Sequence, residues 1–268
     1  RLLLVHAHPD DETINNGVTM AKYAASGVKV TLVTCTRGEE GEVLVEKLAN
    51  LASSKDDKLG EHREIELKNA MDELGISDFR FLGAPSKKWR DSGMMGTPQN
   101  EGKDVFWQSN LDEAANELVK IILETKPQVL ITYDEFGGYG HPDHIKVHHV
   151  GHRAAHIANI TNVYEMTMNR DHWKRLMEFA PEEEKFNPDE PADDGNPMGE
   201  PEANISHKID VTKYCDVKRK AIACHASQIT DTGFLGTLTP EMFEMSFGFE
   251  WFIKVGESGP PRDAWLFD

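Results

Sequence analysis

The sequence has few cysteines and lacks any long apolar run. Its three cysteines, Cys35, Cys215 and Cys224, form an odd set without C-x-x-C spacing, so they predict no disulfide framework and favour a reducing cytosol. No stretch approaches the roughly 18 apolar residues that a membrane span requires, and no signal peptide is visible. We therefore expect a cytoplasmic protein without a membrane partner.

Positive charge is also scarce. Lysine and arginine number 29 against 46 aspartates and glutamates, which gives a formal net charge of −17. A chain with this charge is repelled by nucleic acids and by anionic membranes, so we expect neither as a partner. The charge does not identify the substrate, and the sequence carries no signal for an oligomeric state.

What the sequence does contain is an alternation of short strands and helices. Its 268 residues suffice for a sizeable core, and 39% hydrophobic with 28% charged residues is typical of a globular protein. Apolar or β-branched runs predict strands at residues 2–6, 28–34, 78–82, 129–133, 162–168, 207–211 and 247–255. Helical patterns between the earlier strands give the βαβ rhythm of a parallel sheet. We predict an α/β, Rossmann-like fold, with a mostly parallel sheet and helices on both faces.

The last third of the chain is less regular. Residues 181–204 are rich in proline, glycine and acidic residues and almost free of apolar ones, which predicts a mobile loop or flap. We expect a Rossmann-like core over residues 1–170 and an acidic, proline-rich loop over 171–204. A strand–helix–strand unit over 205–268 then completes the same domain, as a less regular added layer rather than as more of the same sheet.

Two clusters of histidines and acids lie beyond two of the predicted strands. The first is HPDDE at residues 8–12, after strand 2–6, and the second is HPDH at residues 141–144, beyond strand 129–133. In open α/β sheets, ligands bind at the carboxyl ends of strands, so we expect the clusters to meet at one edge. Crowded ionisable groups repel each other unless a cation holds them, and a divalent metal is the simplest explanation.

The donor types indicate a catalytic metal site. His8 and Asp11 are three residues apart, and His141 and His144 share one face at a helix start. Three protein ligands with an open position are typical of catalytic zinc, and imidazole with carboxylate suits Zn²⁺ or Fe²⁺. Asp10 and Asp11 are adjacent and diverge, so one can hold metal while the other takes a proton from water whose pKa the metal lowers to about 7. An imidazole beyond the metal can stabilise an oxyanion and protonate a leaving amine, so these parts predict amide or ester hydrolysis.

Other polar residues near the clusters have less specific interpretations. His6 lies within the first strand and is expected to be structural, while Glu12 serves the helix start or orients a ligand. Tyr139, in a glycine-rich loop, is open between a mobile catalytic residue and a turn residue. Four histidines repeat along one helix and indicate a mixed polar face rather than ligands, namely His148, His149, His152 and His156.

The paired motifs resemble those of the PIG-L/LmbE-type zinc-dependent N-deacetylases, which remove acetyl or acyl groups from amino sugars and related amides. Further stretches at residues 34–43, 89–94 and 132–140 resemble the mycothiol-pathway branch of that family, which acts on N-acetylglucosaminyl-inositol. The likeness covers about residues 1–158 closely and the remainder loosely. It implies a metal-dependent deacetylase with Zn²⁺, or Fe²⁺, acting on a small amino-sugar conjugate.

Carried over by position, the resemblance also implies residue roles. The zinc ligands are His8, Asp11 and His144. Asp10 is the general base, and His141 is the oxyanion stabiliser and acid. Asp143 supports the charge of His141, and Tyr139 helps to stabilise the oxyanion. The expected contacts to the sugar and inositol are Arg63, Asp91, Glu42, Asn15 and Met94. Two features depart from the branch: Asn15 replaces its serine, where a related amidase has lysine, and the 181–204 loop has no match.

Other functions stay open at this point. Another N-deacetylase of the family, or a mycothiol S-conjugate amidase, would use the same metal chemistry on a different amide. A metal- or sugar-binding module without turnover would need neither Asp10 nor His141. A nucleotide-binding Rossmann domain is disfavoured because no G-x-G-x-x-G follows the first strand.

Overall fold

The chain folds around one eight-stranded sheet. The computed structural model describes residues 1–180, 185–192, 194–230 and 234–268. The strands in chain order are β1 (Leu2–His6), β2 (Val30–Thr34), β3 (Asp78–Phe81), β4 (Val129–Tyr133), β5 (Val163–Thr167), β6 (His207–Asp210), β7 (Phe249–Lys254) and β8 (Arg262–Asp263). Their order across the sheet is β3-β2-β1-β4-β5-β7-β6-β8. The first five are parallel, whereas β7 runs antiparallel to β5 and β6.

The central strands are apolar because both faces of the sheet are covered. Every residue of β1, β2 and β4 is buried, as continuous apolar runs in a parallel sheet require. The helices after β1 and β2 pack together on one face, and those before and after β4 pack together on the other, as the rule of right-handed crossovers predicts. The predicted mostly parallel α/β fold is confirmed.

Helices fill the connections between the strands. In chain order they are α1 (Asp11–Asn15), α2 (Gly17–Ala25), α3 (Leu59–Leu74), α4 (Leu111–Thr125), α5 (Pro142–Ala158), α6 (Arg170–Met177), α7 (Cys215–Ala223), α8 (Phe234–Thr237) and α9 (Pro240–Phe247). On one face α7 packs against α2 and α3, and on the other α4 packs against α5. None of the helices in the described ranges combines the length and apolarity that crossing a membrane demands.

The carboxyl third extends the sheet itself. The sequence predicted an added layer there, and that part of the prediction is wrong because β6, β7 and β8 are strands of the same sheet. β6 and β8 are short, β6 and β7 are only half-buried and β8 is exposed, so all three lack the apolar runs of the centre. The predicted 171–204 loop begins too early, because residues 171–177 belong to helix α6, and its residues 181–184 and 193 lie outside the described residues. The loop's mobility stays a prediction, and its later part packs on α6, where the Arg170 guanidinium donates to the Met198 carbonyl at 3.0 Å.

Candidate metal centre and active site

The site lies where β1 and β4 run side by side. The sheet order reverses between these strands, and at such a switch point α/β proteins bind ligands. Residues 8–12 leave the carboxyl end of β1, and residues 141–144 open α5 after β4. His144 Nε2 lies 3.2 Å from Asp11 Oδ1, so the two clusters converge as predicted.

Three buried side chains form a triangle of donor groups, in which the two imidazoles contact different oxygens of Asp11. His8 Nδ1 lies 3.2 Å from Asp11 Oδ2, and His144 Nε2 lies 3.2 Å from Asp11 Oδ1 and 3.3 Å from His8 Nδ1. A tetrahedral zinc ion with bonds of about 2.0–2.1 Å holds its donors about 3.3 Å apart. The donor set therefore fits a metal ion of this size.

Further donors crowd the same pocket. One ring nitrogen of His141 lies within 4.8 Å of donor atoms of His8 and His144, and Asp91 and Asp143 form a second such group with His8. The acids of the second group approach His8 at Nε2, at 3.2 Å from Asp143 and 3.5 Å from Asp91. Asp11 instead contacts both His8 Nδ1 and His144, so the geometry favours Asp11 as the carboxylate of a metal site.

The two acids on the outer nitrogen of His8 orient its ring. Burial by itself lowers the pKa of His8, but Asp91, Asp11 and Asp143 outweigh it and raise that pKa well above its usual range. Carboxylates placed in this way hold the Nε2 proton and leave Nδ1 as the ligand atom. His144 is oriented similarly, because its Nδ1 lies 3.0 Å from the Gly137 carbonyl.

Asp143 holds a different position from the one the resemblance implied. Its carboxylate contacts His8, and it accepts the Ser92 N–H at 2.9 Å and the Ser92 hydroxyl proton. His141 receives instead the Asp143 backbone N–H, on Nδ1 at 3.1 Å. Asp143 therefore supports His8 with its carboxylate and positions His141 with its backbone.

Asp10 is held in an unusual conformation beside the triangle. Its φ of 112° is rare for a non-glycine residue and is a form of backbone strain found at functional sites. Its N–H donates to Glu12 Oε2 at 3.0 Å, and its Oδ2 lies 3.0 Å from Arg63 Nη2. Burial raises the pKa of Asp10 to about 6, against the lowering effect of Arg63. A carboxylate with this pKa suits a proton acceptor near neutral pH.

Two backbone carbonyls fix the position of the Arg63 guanidinium. Its Nη1 donates to the Gly38 carbonyl at 2.9 Å, and its Nη2 donates to the Pro9 carbonyl. Gly38 has φ +66°, and a Cβ there would lie 2.0 Å from Arg63 Nη1. A glycine is therefore required for the guanidinium to reach Asp10.

His141 and Tyr139 complete the group around the triangle. His141 is the N-cap of α5, and because its Nδ1 accepts the Asp143 N–H, Nε2 carries the proton of the neutral ring. Burial, with His8 and His144 nearby, lowers the pKa of His141 well below its usual range. The Tyr139 ring centroid lies 5.0 Å from that of His144, and burial raises the pKa of Tyr139, so its hydroxyl keeps its proton.

The predicted sugar contacts are distributed over the rim and wall of the site. Arg63 and Asp91 are buried, and Asn15 is half-buried with its amide donating to the Asp11 carbonyl at 2.8 Å. Glu42 is exposed, and Met94 keeps 41% of its surface exposed. Arg63, Asp91 and Asn15 thus lie beside the predicted metal ligands. Glu42 and Met94 lie on the solvent side.

Residues 225–228 form a part of the site that sequence reasoning missed. His225 Nε2 lies 3.3 Å from Glu12 Oε1, with both side chains fully buried. Ser227 donates its N–H and its hydroxyl to Glu66, each at 2.7 Å. Partners 161 residues apart leave no local pattern, so no signal in the sequence pointed to them.

Comparison with known proteins identifies the family. The sequence profile of the PIG-L family, described as GlcNAc-PI de-N-acetylase, matches residues 3–155. A 1D-myo-inositol 2-acetamido-2-deoxy-α-D-glucopyranoside deacetylase from Streptomyces avermitilis is 45% identical over 287 residues, with 100% of this chain and 96% of the relative covered. A protein of the same name from Kribbella flavida is 46% identical over 291 residues, at coverages of 98% and 95%.

A solved structure shares the fold. The N,N'-diacetylchitobiose deacetylase from Pyrococcus horikoshii matches with a TM-score of 0.59 at 21% identity, over 94% of this chain and 82% of that chain. The two clusters at the switch point, the profile match over more than half of the chain and the full-length relatives agree. The chain belongs to the PIG-L family of de-N-acetylases, as its paired motifs predicted.

Proposed function

We propose that the chain hydrolyses the N-acetyl amide of 1D-myo-inositol 2-acetamido-2-deoxy-α-D-glucopyranoside, the amino-sugar conjugate in the names of its relatives, and releases acetate and a free amine. The observation that carries the reaction type is the donor triangle of His8, Asp11 and His144 with Asp10 beside it. The substrate is supported by relatives that match along nearly their whole length.

The metal proposed for the triangle is Zn²⁺, and Fe²⁺ accepts the same donors. His8 would bind through Nδ1, His144 through Nε2 and Asp11 through its carboxylate. When bound, such an ion supplies a Lewis acid, which polarises the amide carbonyl and makes water more acidic. His8 and His144 are oriented for this by Asp143 and by the Gly137 carbonyl.

Asp10 is the proposed base. In its ionised form it accepts a proton from the attacking water, and Arg63 at 3.0 Å favours that form. The leaving nitrogen must then gain a proton, because an amide anion is a very poor leaving group. Asp10, once it has taken the proton of the water, is the proposed donor, and His141 could act as the acid only as an imidazolium, a form that its lowered pKa disfavours.

His141 and Tyr139 are the proposed oxyanion donors. The neutral His141 ring presents Nε2–H, and Tyr139 keeps its hydroxyl proton, so both can donate to negative charge on the carbonyl oxygen. Arg63, Asp91, Asn15, Glu42 and Met94 are proposed to contact the sugar and inositol. The three free cysteines support the reducing cytoplasm as the compartment.

Acetate release from the named conjugate tests this function. Metal-loaded wild-type protein should release acetate, while Asp10→Ala should keep its metal and lose rate by on the order of 10²–10⁴-fold. No acetate above the Asp10→Ala level would overturn the proposal. A higher kcat/KM on a mycothiol S-conjugate would assign the chain to the amidase branch instead.

A further inference from the structure

A second group of metal-binding side chains lies at the edge of the interface between α5 and β5. His148 and His152 are one helical turn apart on α5 and share a face. Glu165 projects from β5 towards them, with its Oε1 2.7 Å from His152 Nε2 and 3.4 Å from His148 Nδ1. One donor atom from each residue lies within 4.8 Å of the other two. From the sequence we expected only a mixed polar face on this helix, because no local sequence pattern connects Glu165 with its histidines.

The chemistry of this group suits a transition metal. Two imidazoles and one carboxylate are a donor set for Zn²⁺, Fe²⁺, Co²⁺ or Ni²⁺, whereas Mg²⁺ and Ca²⁺ prefer oxygen. The separation of 2.7 Å between Glu165 Oε1 and His152 Nε2 is shorter than the donor spacing of about 3.3 Å around tetrahedral zinc, and the 4.8 Å limit on the whole group leaves room for that spacing. The side chains are 15%, 30% and 17% exposed for His148, His152 and Glu165, so an ion and its water can enter.

The group is distinct from the donor triangle of His8, Asp11 and His144. Tyr133 lies between the two: its ring centroid is 4.5 Å from that of His144, and its carbonyl lies 3.0 Å from His148 Nδ1. A proton on Nδ1, donated to that carbonyl, leaves His148 Nε2 free as a ligand atom. The backbone of Tyr133 can therefore orient His148 as a carbonyl orients ligand histidines elsewhere.

We propose that His148, His152 and Glu165 form a second binding site for a divalent transition-metal ion. Three protein donors leave the remaining positions of the ion to water. An ion there would join the middle of α5 to β5, and would bind the folded chain without taking part in deacetylation. The competing interpretation is a hydrogen bond between His152 and Glu165 that holds helix to strand without metal.

Metal stoichiometry decides between these interpretations. Full-length protein is stripped with a chelator and titrated with Zn²⁺ by calorimetry, and bound metal is counted after dialysis against buffered Zn²⁺. We expect two equivalents per chain in the wild type and one in His152→Ala and in Glu165→Gln. His156→Ala is the matched control, an exposed histidine on the same helix outside the group, and should retain two.

Separate readouts distinguish loss of the site from loss of the fold. Both variants should show a wild-type circular dichroism spectrum and release acetate normally at one equivalent of Zn²⁺. A thermal midpoint that rises with the second equivalent in the wild type should not rise in Glu165→Gln. A single equivalent in the wild type, or two in His152→Ala, would overturn the proposal. Neither result depends on which amide the catalytic site cleaves.

Discussion

Replacing Arg63 by glutamine should move the acid limb of the pH profile to higher pH. As the proposed base, Asp10 would work only when ionised, and burial raises its pKa to about 6 despite Arg63. The guanidinium lies 3.0 Å from the carboxylate, with only 4% and 16% of the two side chains exposed, so solvent screens the pair weakly. A cation this close lowers a carboxyl pKa by about 1–3 units. Without it the Asp10 pKa rises by that amount, and kcat/KM below the new limb falls about tenfold per pH unit.

The assay is the pH dependence of kcat/KM for acetate release, measured with the same metal in every variant. Arg63→Lys is the matched control, because it keeps a positive charge and should keep the limb near its wild-type position. A bound metal would lower the Asp10 pKa in all three proteins, so the difference between variants is the decisive quantity. An unchanged acid limb in Arg63→Gln, with kcat/KM lowered equally at every pH, would refute the electrostatic role of Arg63. Its remaining role would then be to bind or position the substrate.

Three further predictions test other parts of the structure. Alanine at any of the three predicted metal ligands should cost one equivalent of metal, whereas Asp10→Ala should cost none; equal loss in all four, by elemental analysis, would show that the roles are misassigned. Gly38→Ala should displace the Arg63 guanidinium, since its Cβ would lie 2.0 Å from Nη1, and should reproduce the shifted acid limb of Arg63→Gln. Lys218→Met should lower the free energy of unfolding in urea by about 3–5 kcal/mol, because it leaves Glu250 as a buried, unpaired charge. Exposed Lys220→Met on the same helix should change it by less than about 0.5 kcal/mol, and a similarly small loss in both would contradict the argument.

The parts of the fold that were predictable are those with local or periodic causes. β1 and β4 are apolar runs because a parallel sheet buries both of their faces. Their positions could therefore be predicted from these runs alone. The meeting of His8 and His144 followed from one topological rule, since both follow strands at the switch point. Two clusters and one rule therefore sufficed to predict that the proposed metal ligands lie together.

The parts that were not predictable depend on distant partners. The contact of His225 with Glu12 joins segments more than 200 residues apart, and neither residue belongs to a motif that names the other. Likewise Glu165 completes a histidine pair on α5 only because β5 lies beside that helix. Strands β6 to β8, at one end of the sheet, are partly polar, so nothing in their composition distinguished a continuation of the sheet from a separate layer.

The contacts of residues 225–228 have a consequence for how activity arises during folding. Glu12, which accepts the Asp10 N–H, and Glu66, in the helix that carries Arg63, are both buried against the last quarter of the chain. A chain that ended before that quarter would contain the three predicted metal ligands and the proposed base, but Glu12 and Glu66 would lack their contacts with His225 and Ser227. Contacts between segments this far apart in the chain are slow to form. We therefore expect hydrolytic activity only in chains that have folded through residues 225–228.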